Sequence, residues 1–129
     1  MTFGNAYNVY KSNSVNYASK EQLLLMLLDG AVKFSKLARV AIEENNINEA
    51  HNNIVKTENI FLELTYSLDT NLGGKWAEDL KRVYEFIVDN LGRANISKDA
   101  KTLDDTISLI CDVRDTWNEA YKLSKVDNK

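Results

Sequence analysis

No proline occurs anywhere in the 129 residues, and only five glycines do. Proline removes a backbone donor and clashes with the preceding turn, so a chain without it can run helices uninterrupted. Apolar residues recur every three or four positions over long segments, the spacing of one helix face. Together these features predict an all-α protein. With 44% apolar residues, the chain can fill the core of one domain.

The clearest helix start is Ser19-Lys20-Glu21-Gln22, whose first and last members have capping-box spacing. The first helix is expected from Lys20 to Glu44, with Leu23, Leu24, Leu27, Ala31, Phe34, Ala38, Ala41 and Ile42 on its core face. Asn45-Asn46 ends it, because Asn tolerates a left-handed cap. The second helix runs from Asn48 to Leu68, capped by Asn46 or Asn48, with Ala50, Ile54, Thr57, Phe61, Leu64 and Leu68 inward. Gly73-Gly74 supplies the positive φ of a sharp reversal. A third helix spans Lys75 to Ala94, with Trp76, Ala77, Leu80, Val83, Tyr84, Ile87, Val88, Leu91 and Ala94 in its stripe. The fourth begins at Lys98 or Asp99, with Ser97 as its cap, and ends at Ser124. Its core face holds Leu103, Ile107, Leu109, Ile110, Val113, Trp117, Ala120 and Tyr121. Short links favour antiparallel neighbours, so the expected architecture is an antiparallel up-down-up-down four-helix bundle at residues 19–124. Residues 125–129 form a C-terminal tail. Residues 1–18 carry no cap and no steady period, yet include Phe3, Tyr7, Tyr10 and Tyr17. Disordered tails are poor in aromatics, so this segment is expected to pack on the bundle as an N-terminal cap.

Several chemistries are disfavoured. A net charge of −3 and a pI near 5.2 give no electrostatic reason to expect nucleic acid or a membrane surface as partner. The longest apolar run, Leu23 to Leu28, is too short to span a bilayer, and no secretory signal opens the chain. One cysteine, Cys111, excludes an internal disulfide and suits a cytoplasmic protein. The di-metal centre often built into helical bundles needs Glu-x-x-His on two helices. The single histidine, His51, has Asn48 three positions before it, so neither a metal nor another cofactor is expected, and no enzyme activity. Gly73-Gly74 also lacks the spacing of a phosphate loop. Gly30, inside the first helix, is expected to mark close packing against a neighbouring helix.

An apolar surplus remains. Leu25, Leu28 and Val32 fall off the core face of the first helix, Val55, Leu62 and Tyr66 off that of the second, and Phe86 off that of the third. Contiguous apolar surface on a monomer marks partner sites, and burying one such side chain contributes about 1.5–3 kcal/mol. A groove of this kind suits an extended or amphipathic peptide; the equal alternative is an irregular bundle that buries these residues itself. A non-enzymatic dimerisation or scaffold module is the alternative, with the surplus stripes paired to a second copy.

Specific residues then resemble a known family. Tyr7 and Tyr10, Met26-Leu27-Leu28-Asp29-Gly30-Ala31, Leu64, Leu68-Asp69, Gly73-Gly74, Leu80, Tyr84, Ile87, Leu91, Ala94-Asn95 and Arg114-Asp115-Thr116-Trp117 occur in the order and spacing of FliS, the flagellin-specific secretion chaperones of bacteria. Leu28 stands where members often have Tyr, and the proline common near Ser19-Lys20 is absent. The resemblance covers nearly the whole chain. It implies a cytoplasmic bundle that binds the disordered C-terminal segment of flagellin, prevents premature polymerisation and delivers the subunit to the flagellar export gate. It further implies that the N-terminal segment packs on the bundle and is displaced by the client. Tyr7 and Tyr10 belong to that cap, Leu25, Leu28, Val32, Val55, Leu62, Tyr66 and Phe86 to the surface, and Asp29 to a polar contact at its edge. Tyr84 and Asn95 come from the family pattern.

Overall fold

The computed structural model describes residues 19–68 and 70–127. The expected cap at 1–18, with Tyr7 and Tyr10, lies outside the described residues, as does Asp69 of the family motif. Four helices follow one another: α1 (Lys20–Glu43), α2 (Ile47–Ser67), α3 (Thr70–Ser97) and α4 (Ala100–Asp127).

Local chemistry sets the helix ends. Ser19 Oγ accepts from the Gln22 backbone N–H at 3.2 Å, and Gln22 Oε1 accepts from the Ser19 N–H at 2.8 Å, closing the expected capping box. Asn45 takes φ 57°, and the Asn45 and Asn46 N–H groups donate to the Ile42 and Ala41 carbonyls. This is a Schellman closure of α1 with Asn in the left-handed position. Asn46 then caps α2, accepting from the Glu49 N–H at 3.3 Å. α3 is broken by Gly74 at φ 57°, ψ −136°, so its continuous helix begins where the sequence places it. At its other end α3 runs three residues past the expected Ala94. Lys98 therefore takes the left-handed conformation, and Asp99 becomes the cap of α4 in place of Ser97. The Asp99 carboxylate accepts from the Lys101 and Thr102 N–H groups and from Thr102 Oγ1. That hydroxyl bond, then the Lys101 N–H, holds its carboxyl below the usual range.

The helices pack as a closed ring, each against its two neighbours in sequence, with α4 returning to α1. Facing pairs run in opposite senses along adjacent helices: Gly30 with Ile60 and Phe34 with Lys56, Phe61 with Tyr84 and His51 with Asn95, Asp29 with Arg114 and Arg39 with Asp104. The neighbours are thus antiparallel, and the four-helix bundle is the observed fold. The N-terminus of α1 shares one end of the bundle with the C-terminus of α2, the start of α3 and the end of α4. Fully buried Leu28, Ile54, Phe61, Tyr84, Ile87, Leu91, Leu103 and Ile110 fill the core.

Three expectations need correction. Leu28 (0% exposed) and Val32 (6%) are core residues, not part of a second stripe. α1 packs on both α2 and α4, so its buried arc is wider than one stripe and rotates towards α4. Trp76, placed in the core stripe, is 59% exposed, because the Gly74 break leaves it in the first turn of the continuous helix. At Gly30 a Cβ would meet Ile60 Cδ1 at 3.6 Å, an ordinary contact, so packing does not demand glycine there.

Candidate partner-binding surface

The described residues contain no group of His, Cys, Asp and Glu able to hold a metal, and no helix long and apolar enough to cross a membrane. What the surface offers is apolar area. Tyr66 is 89% exposed and Leu62 51%, one turn apart on α2, with half-buried Val55 two turns earlier on the same line. This line lies opposite the buried residues Ala50, Ile54, Thr57, Phe61 and Leu64. Phe86 is 58% exposed on α3. Leu25 is half-buried near the start of α1.

Sequence reasoning missed Trp76, which carries a large exposed area at the same end of the bundle as Tyr66. Its ring meets Trp117 edge-on, with centroids 5.6 Å apart. Met26 and Leu123 are exposed towards that end as well. The signal available was Gly73-Gly74, ending two residues before Trp76, since a residue just after a break lacks a preceding turn to cover it.

The remaining predicted residues sit elsewhere. Tyr84 is buried against Phe61, with ring centroids 5.7 Å apart, and its hydroxyl accepts from Trp117 Nε1–H at 3.1 Å. Burial pushes its hydroxyl up to about 12, against the opposing pull of the Trp117 bond. Tyr84 therefore supports Trp117, and through it Trp76, from beneath. Asp29 is exposed and accepts from Arg114 Nη1 at 3.4 Å, while Arg114 Nε donates to Asp115 at 2.6 Å. Asn95 is half-buried on the α2–α3 seam, its amide nitrogen 2.9 Å from His51 Nδ1. The structure thus brings Leu62 and Tyr66 together on one line and leaves Phe86 on another helix. Leu28, Val32 and Tyr84 lie beneath the surface.

An arrangement of exposed apolar side chains on separate helices, with no enclosed polar site among them, can hold an extended chain by wrapping. Comparison with known proteins finds relatives along nearly the whole chain. The profile of the family described as "Flagellar protein FliS" matches residues 3–124. The flagellar secretion chaperone FliS of Bacillus subtilis strain 168 is 33% identical over 127 residues, covering 98% of this chain and 94% of the relative. The protein of the same name from Campylobacter jejuni is 29% identical, covering 90% and 91%. The flagellar secretion chaperone FliSB of Pseudomonas aeruginosa is 33% identical, covering 81% and 82%. With the family profile matching residues 3–124 and a 33% identical relative covering 98% of its length, the chain belongs to the FliS family.

Proposed function

We propose that this protein is a cytoplasmic export chaperone that binds the disordered C-terminal segment of flagellin, keeps it from polymerising early and hands it to the flagellar export apparatus. The observation that carries this reading is the exposed apolar set Leu62, Tyr66, Trp76 and Phe86 on a fold whose relatives are named as flagellar secretion chaperones. The protein acts by binding rather than by bond chemistry. A disordered client must be ordered as it binds, so affinity comes from a large wrapped area and not from a deep pocket. Leu25 and Val55 extend the surface and Asp29 is a polar group near it, whereas Asn95 sits far along the bundle and is not part of it. Leu28, Val32 and Tyr84 serve it from below, by fixing the helices that present it.

In this reading residues 1–18, attached at Ser19, cover part of the apolar end until the client displaces them. Tyr7 and Tyr10 are the anchors of that cap. Calorimetric titration with a peptide of the flagellin C-terminal segment, followed by circular dichroism, tests the proposal. One-to-one binding with a gain in helix is expected, and no heat with no added helix rejects it. A chain lacking residues 1–18 is expected to bind more tightly, and unchanged affinity removes the cap from the mechanism.

A further inference from the structure

The α2–α3 seam carries a polar cluster far along the bundle from Tyr66 and Trp76. Lys98 Nζ donates to Asn95 Oδ1 at 2.7 Å and also to the Asn95 backbone carbonyl. An ammonium is a donor only, so this contact fixes which way the Asn95 carboxamide points. Its oxygen faces Lys98, and its NH2 therefore faces His51. That NH2 is likewise a donor only, so His51 Nδ1, at 2.9 Å, must accept. The imidazole that fits this site is neutral, with its proton on Nε2. A protonated imidazole carries N–H on both nitrogens and would set donor against donor.

We propose that His51 and Asn95 form a proton-operated clasp between α2 and α3, closed by the neutral imidazole and opened when it takes a proton. Charge bears on the ring from Lys98 and from Glu58. Lys98 stands behind Asn95 at the end of α3 and repels an imidazolium. Glu58 lies two turns along α2, and its carboxyl, pushed up by burial, is drawn back down by charge on His51. Both fields favour a cationic ring that turns from Asn95 towards Glu58. The exposed position of His51 leaves the imidazole room to move and access to protons. Asn95 and Lys98 sit where the chain leaves α3 for α4, so the clasp fastens that turn to α2. Histidine is the side chain that ordinarily changes charge between about pH 5 and 8.

The test uses the full chain without any partner, so it stands or falls separately from the chaperone reading. His51 is the only histidine, which makes its signals unambiguous. Nitrogen-15 NMR near pH 7.5 is expected to show the Nε2–H tautomer, and the Asn95 NH2 signals to move with the imidazole titration. His51→Gln keeps an acceptor at every pH. At a pH where NMR shows the ring protonated, the natural protein is expected to have lost more melting temperature than His51→Gln loses over the same pH change. An Nδ1–H tautomer, NH2 signals indifferent to the titration, or equal losses in the two proteins would overturn the clasp.

Discussion

At the scale of single residues, the glycines separate what sequence can and cannot convey. Gly74 is legible, because a paired glycine between two periodic segments announces a reversal, and its φ of 57° with ψ of −136° is a conformation that L side chains avoid. Gly74→Ala is expected to cost about 1–3 kcal/mol in urea unfolding. Gly92 looks similar on paper, yet a Cβ there would meet nothing within 4 Å. Gly92→Ala should therefore stabilise the fold by about 1 kcal/mol in the same experiment. Gly74 has the same open space, so the backbone conformation and not room for a Cβ separates the two. Tyr84 makes the same point through its environment. Burial favours its neutral form and pushes the folded hydroxyl up to about 12, above the ordinary value of 10.0 that it has in the unfolded chain. The associated stability is complete below the unfolded value and is lost as pH rises towards the folded one. Alkaline unfolding between about pH 10 and 12 should cost the natural protein about 2 kcal/mol more than Tyr84→Phe, as read by circular dichroism.

At the scale of elements, the caps of α1 and α2 were readable because each rests on a side chain bonding to a backbone N–H a few residues away. Which face of α1 is buried was not readable with equal accuracy. A wheel finds a stripe, but the width and rotation of the buried arc depend on how many neighbours the helix has. α1 has two, α2 and α4, and their joint coverage takes Leu28 and Val32 into the core. On α2 the wheel did separate Val55, Leu62 and Tyr66 from the buried line, because that line faces away from both neighbours. These placements predict a contrast. Leu28→Ala leaves a cavity in a sealed core and should cost about 2–5 kcal/mol. Leu62→Ala trims a half-exposed side chain and should stay within about 0.5 kcal/mol of the parent protein. Thermal and denaturant unfolding of the two variants checks both values.

At the scale of the whole molecule, the question is what holds the ring together and what it leaves free. Arg39 with Asp104 and Arg114 with Asp29 tie α1 to α4 at the surface, where such pairs contribute only about 0–1 kcal/mol and are screened by salt. The bundle is therefore held by its apolar core, and salt should leave its unfolding midpoint almost unchanged. The same reasoning extends to a client bound by Leu62, Tyr66, Trp76 and Phe86, none of which carries charge. Burying apolar area on binding lowers heat capacity, and contacts without charge are insensitive to ionic strength. Titration of a flagellin C-terminal peptide should give a negative heat-capacity change, with affinity varying less than about threefold between roughly 50 and 500 mM salt. Leu62→Ala with Tyr66→Ala should weaken that binding at least about tenfold, because each lost side chain removes more than 1 kcal/mol of burial. Its melting temperature should stay within about 2 °C of the parent, since neither residue belongs to the core. Steep salt dependence with an unaltered affinity in the double variant would instead assign the client to the charged faces, such as the acidic side of α4 at Asp104, Asp105 and Asp112, and leave the exposed aromatic residues without a part in binding.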